Sequence, residues 1–72
     1  MACINPDGTL TGSARAVLRA AREPLTPAEI AQQTGLPLYR IRSSLRELVD
    51  AGLLSEQDGR YVLTEAGAER IA

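Results

Sequence analysis

Apolar positions recur with a helical period in three stretches of the chain. Ala14, Val17, Leu18 and Ala21 stand at i, i+3, i+4 and i+7, which predicts a helix over about 13–22 with one apolar face. Thr11 or Ser13 can cap its start, and Pro24 ends it. The second stretch predicts a helix over 27–34. Thr26 supplies the cap, Pro27 suits the first helical position, and Glu29 completes a capping box. Leu25 and Ile30 sit where a hydrophobic staple would close the start, and Gly35 suits a left-handed stop. The third stretch predicts a helix over 38–51 that stops at Gly52. Leu38, Ile41, Leu45, Leu48 and Val49 share its core side. Tyr39, Arg40, Ser43, Arg46, Glu47 and Asp50 share the polar side, and Arg42 flanks the boundary.

Beyond Gly52 the period changes. Two short strand-like runs surround Asp58-Gly59, a two-residue hairpin turn. Leu54, Tyr61 and Leu63 can face inward, with Ser55 and Val62 outward. Thr64 then caps a last helix over about 65–71, with Glu65 at its positive end. So short a helix does not hold alone and must pack on the rest or on a partner. At the other end, Asn5-Pro6-Asp7-Gly8 is a strong turn signal. Ile4 and Thr9 can pair across it as a tiny hairpin, or residues 1–12 can be a frayed tail.

Composition removes most chemistry. The 72 residues allow one domain, which buries about 60% of its unfolded surface. The core must be aliphatic, since Phe and Trp are absent and only Tyr39 and Tyr61 are aromatic. With no His and a single cysteine, Cys3, neither a zinc, iron–sulfur or haem site nor a Ser–His or Cys–His nucleophile can be assembled. Cys3 reads as an inert surface thiol and forms no internal disulfide. The six glycines are scattered singly, so there is no phosphate loop. Glu47 and Asp50 are paired at helical spacing on a solvated face rather than as a catalytic pair. No run approaches the roughly 18 apolar residues of a membrane span, and no signal peptide is expected at the start. The expectation is a cytoplasmic protein, not an enzyme, with no metal and no cofactor.

The order of elements is more informative. A capped helix, a turn containing Gly35 and an amphipathic second helix make a helix-turn-helix, and the following hairpin makes it winged. The expected class is α+β, mostly α: three helices, a two-stranded wing and a short C-terminal helix over 13–72, preceded by a tail or small turn over 1–12. The sequence resembles the winged helix-turn-helix regulators of the MarR, ArsR and PadR kind. The resemblance lies in Leu25–Leu36 (LTPAEIAQQTGL), in Ile41, Leu45, Leu48 and Ala51-Gly52-Leu53-Leu54, and in Gly59–Thr64 with Gly67. It implies that helix 38–51 lies in the DNA major groove and that the wing touches the minor groove or the backbone. The family's contact positions fall on Tyr39, Arg40, Arg42, Ser43, Ser44 and Arg46; in the wing, only Arg60 carries a charge that could reach DNA. Arginine suits this role because its fork pairs with guanine or grips phosphate, and Tyr and Ser can donate to phosphate oxygens. Arg40, Ser43 and Arg46 are the expected base readers; Tyr39, Arg42 and Arg60 are the expected backbone contacts.

Charge leaves a second reading open. The net charge is −1. Segment 37–54 carries three Arg against Glu47 and Asp50 and is the positive part; 55–72 carries Arg60 and Arg70 against four acids. The leading expectation is a small DNA-binding transcriptional regulator of bacterial type that reads double-stranded DNA. The alternative is a winged-helix protein–protein interaction module, an adaptor or assembly subunit without DNA binding. Helix 13–22 or helix 65–71 is the candidate surface for a homodimer or another protein partner. Arg15, Arg19 and Arg22 line one side of the first helix as a solvated face or a phosphate clamp.

Overall fold

The computed structural model describes residues 4, 5 and 8–72. Cys3 and the Pro6-Asp7 centre of the N-terminal turn lie outside them. The elements in chain order are α1 (Gly12–Ala20), α2 (Pro27–Thr34), α3 (Leu38–Asp50), β1 (Leu54–Gln57), β2 (Arg60–Leu63) and α4 (Glu65–Arg70). This is the expected winged helix-turn-helix.

Local sequence accounts for most boundaries. The Thr11 hydroxyl accepts from the Ala14 N–H and starts α1. At α2 the capping box closes both ways: Glu29 N–H donates to the Thr26 hydroxyl at 3.2 Å, and Thr26 N–H to the Glu29 carboxylate at 2.8 Å. Gly35, at φ 74°, ends α2 in the left-handed region that a side chain would resist. Pro37 then starts α3 with no side-chain cap, so the first turn depends on the Pro37 carbonyl accepting from Arg40 and Ile41. β1 and β2 pair antiparallel, with Leu54 opposite Leu63 and Glu56 opposite Tyr61. Asp58 and Gly59, at φ 54° and 79°, form the tight turn between them.

The core is aliphatic and continuous. Val17 and Leu18 of α1, Ile30 of α2, and Ile41, Leu45 and Leu48 of α3 are essentially inaccessible to solvent. Leu53 and Leu54 close it from the hairpin side and Ile71 from beyond α4. Residues before α1 also contribute. Leu10 is buried, Ile4 packs against the core, and Ile4 bridges to Leu10 rather than to Thr9. The Arg70 guanidinium donates to the Gly8 carbonyl and ties the two ends of the chain together.

The structure corrects three further expectations. Helix α1 stops at Ala20, short of Arg22. Its end is captured by the wing: the Ala21 carbonyl accepts from Leu63 N–H at 2.8 Å, and Leu25 forms an antiparallel bridge to Tyr61 through two hydrogen bonds. The linker before α2 therefore acts as a one-residue third strand. Leu38 is 40% exposed rather than buried, because the first turn of α3 extends past the cover that encloses Ile41. Ser44, one of the contact positions the resemblance implied, is 6% exposed and belongs to the interior.

Gly67 marks the closest approach in the fold. A Cβ there would lie 2.2 Å from the Leu53 carbonyl oxygen and 2.7 Å from Leu63 Cδ1. Backbone cannot yield as a flexible side chain can, so Gly67→Ala should cost about 2–3 kcal/mol. That corresponds to a fall in Tm of roughly 10–20 °C in a domain this small. Gly12→Ala, with open space around it, should leave Tm within a few degrees. Thermal unfolding followed by circular dichroism checks both; equal Tm values for the two variants would contradict the packing described.

Candidate nucleic-acid interface

Burial of one side of α3 decides what the other side presents. With Ile41, Leu45 and Leu48 in the core, Tyr39, Arg42, Ser43, Arg46 and Asp50 fall on one exposed stripe along the helix. Tyr39 is 73% exposed and stands beside the half-exposed Leu38 at the start of the helix. Arg42, Ser43 and Arg46 line a shallow surface hollow of ≈270 Å³. Two guanidiniums one helical turn apart, with a hydroxyl between them, make a surface rich in donors and free of carboxylates.

Two of the sequence-predicted contact residues are not on this stripe. Arg40 is half-buried, and its guanidinium donates to the Ser13 hydroxyl at 3.1 Å. That bond joins the first turn of α3 to the first turn of α1, so Arg40 braces α3. Ser44 points inward, as described. Arg40 lies at the edge of the helical wheel, where the packing of α1 decides its side; Ser44 stands at i+3 between Ile41 and Leu48, so its spacing already marks the core face.

The wing residue is also engaged. The Arg60 guanidinium lies 3.9 Å from the Glu29 carboxylate, with both side chains about half exposed. Such a pair adds little stability, but it draws the wing's cation toward α2. Between α3 and β1 lies a second hollow of ≈280 Å³, lined by Arg46, Val49, Asp50, Glu56 and Tyr61. Its character is acidic. The Glu56 carboxylate also accepts from Gly59 N–H at 2.7 Å and so braces the hairpin turn. Arg15 and Arg19 on α1 and Arg22 in the turn after it are exposed. Among the described residues, no group of three or more His, Cys, Asp or Glu could hold a metal ion. No helix among them is long and apolar enough to cross a membrane.

The family comparison points the same way as the geometry. Residues 16–58 match the family model of the IclR helix-turn-helix domain. That range begins in α1, includes all of α2, α3 and β1, and ends in the hairpin turn. Among solved structures, one similar chain is CalO1, described as a methyltransferase in calicheamicin biosynthesis with SAH bound. It is 36% identical, with a TM-score of 0.66, over 78% of this chain and 17% of that one. PigF, solved with SAH, has the same fold at 24% identity and a TM-score of 0.63, over 75% of this chain and 16% of its own. The chain thus spans about a sixth of the length of either structure. No curated protein matches it.

Glu29 gives this region a pH signature. Its carboxyl titrates below its ordinary value of 4.5, chiefly because the charged form accepts the Thr26 N–H. The Thr26 side chain adds to that, slight burial opposes it, and Arg60 contributes least. A lowered pKa in the fold means that the stabilisation is complete above 4.5 and is lost as pH falls through the folded value. Glu29→Gln keeps an acceptor for Thr26 but not the charge. Its Tm should therefore fall less steeply than the wild type's between roughly pH 5 and pH 3. Parallel Tm profiles would contradict the assignment.

Proposed function

The chain belongs to the IclR helix-turn-helix family, and on that premise we propose that it reads double-stranded DNA with α3 as part of a transcriptional regulator. The observation that carries the reading is the exposed stripe of Tyr39, Arg42, Ser43 and Arg46 on the rigidly packed second helix of the motif. The core behind it holds the side chains at fixed spacing, as base reading in a major groove requires. In this proposal Arg42 and Arg46 make the main contacts, to guanine edges or phosphates, and Ser43 and Tyr39 donate to the backbone. Arg40 supports α3 from behind, and Arg60 is at most a peripheral contact. The family match gives the IclR kind; nothing singles out the MarR, ArsR or PadR kinds. The segment works without a cofactor and performs no catalysis, and the cell compartment that holds the DNA, the cytoplasm of a bacterial-type cell, is where this reading places it.

One copy offers few cations. Neutralising two or three phosphates gives a salt slope of about −2 to −3 in log K against log salt, which is weak. Two copies joined through α1 or α4 would double it, and dimerisation is accordingly part of the proposal.

A second reading has its own support. CalO1 is 36% identical over most of this chain, and its name is that of a methyltransferase. A winged-helix module of a larger assembly, making protein contacts through the exposed Leu38 and Tyr39, fits that likeness. The readings differ in their response to salt, because contacts to phosphate weaken steeply with salt and apolar contacts do not.

The test is fluorescence anisotropy with a random-sequence 20-base-pair duplex at low and moderate salt. The wild type should bind at 20 mM salt and lose at least about a hundredfold in affinity by 200 mM, more where two copies bind together. Arg42→Ala combined with Arg46→Ala should abolish binding while shifting Tm by no more than a few degrees, since both side chains are exposed. Unchanged affinity in the double variant would remove α3 as the reading element.

A further inference from the structure

The sign of charge changes along the exposed face of α3, and the change falls at one residue. Arg46 lines both surface hollows. On its N-terminal side the neighbours are Arg42 and Ser43. On its C-terminal side they are Val49, Asp50, Glu56 and Tyr61. Past the second hollow, the hairpin turn carries Asp58 at φ 54°, followed by Gly59 at φ 79°. Glu56 braces that turn by accepting from Gly59 N–H, so the acidic tip is held in place rather than free to fold away. The one cation of the hairpin, Arg60, leans on Glu29.

A DNA backbone carries a negative charge every few ångströms. Laid over this face, it meets cations as far as Arg46 and carboxylates beyond it. Asp50 and Glu56 share a hollow with Arg46 and so lie within about one Debye length, roughly 10 Å at 0.1 M salt, of a phosphate held there; Asp58 follows Glu56 by two residues in the turn. We propose that Asp50, Glu56 and Asp58 limit the footprint: DNA is gripped by the N-terminal half of α3 up to Arg46, and the wing is kept off the duplex. These three acids are then the residues that set affinity and site length. The domain reads a short stretch through one helix end, unlike a winged helix that also grips with its wing. The inference rests on the reading of α3 as the DNA-facing element.

The test neutralises the acids without disturbing the turn. Gln at position 56 keeps an oxygen for Gly59 N–H, and Asn at 58 tolerates positive φ at least as well as Asp. The triple variant D50N/E56Q/D58N should fold with an unchanged or raised Tm. In the anisotropy assay it should bind the duplex about tenfold more tightly than the wild type at 20 mM salt, with the gap closing toward 200 mM. Arg60→Ala should change affinity by less than about twofold. If the wild type binds and the triple variant binds equally, the acids do not set affinity and the inference falls while the DNA reading stands. A tenfold loss in Arg60→Ala would place the wing on the DNA and overturn the inference in the same way. If neither wild type nor triple variant binds, both the inference and the DNA reading fail. Binding by the triple variant alone would also overturn the inference, since acids that merely limit the footprint leave the wild type gripped at Arg46.

Discussion

Burial of Ile41, Leu45 and Leu48 in one core with Val17, Leu18 and Ile30 is the constraint from which the rest follows. It fixes α3 in rotation as well as in position. Once three residues of a thirteen-residue helix are locked inward, the outward set is no longer adjustable. Tyr39, Arg42, Ser43 and Arg46 are exposed together because the aliphatic side has nowhere else to go. With no Phe or Trp in the chain, the core is filled by aliphatic side chains with Tyr61 packed at its edge, so the elements must come close. The contact of Gly67 with the Leu53 carbonyl shows how close: α4 approaches to a distance at which even a methyl group would overlap.

The wing is set by a different device. Leu25 and Tyr61 exchange two backbone hydrogen bonds, and Leu63 N–H reaches the Ala21 carbonyl. These bonds hold β2 against the linker between α1 and α2 and leave β1 on the side of α3. Glu56 is therefore presented to the groove beside Arg46, while Arg60, on the opposite face of the hairpin, falls near Glu29. The hairpin's register thus determines which of its charges faces a ligand on α3. Strand alternation sends Glu56 and Tyr61 to the same face and Arg60 to the other. A register shifted by one residue would exchange them.

Much of the fold was legible in the chain because its signals are local. Thr26, Pro27 and Glu29 mark the start of α2, Gly35 its end, and Asp58-Gly59 the hairpin, each through chemistry confined to a few residues. The family kinship was legible at the level of the winged helix-turn-helix and not of its subtype. What could not be read depends on contacts distant in sequence. A one-residue bridge such as Leu25 to Tyr61 leaves no alternating pattern, yet it shortens α1. Ile4, Leu10 and Ile71 lie in segments too short to show a period, and join the core through tertiary contact alone. Within the candidate interface, Tyr39, Arg42, Ser43 and Arg46 stand where the helical wheel places them. Arg40, read as polar-side, is drawn in by Ser13 of α1, and Ser44, taken as a contact position from the resemblance, shares the core spacing of Ile41, Leu45 and Leu48. Leu38 departs because a wheel has no ends: its angle is that of the core, but its height along the axis is beyond it.

The central claim is that one half of one helix meets the DNA. Amide chemical shifts of isotope-labelled protein, titrated with a nonspecific duplex at about 20 mM and then 200 mM salt, test it residue by residue. The account predicts that resonances of residues 38–46 move at low salt and return at high salt, while those of 54–60 stay in place throughout. Shifts confined to the hairpin, or no shift at either salt concentration, would contradict it.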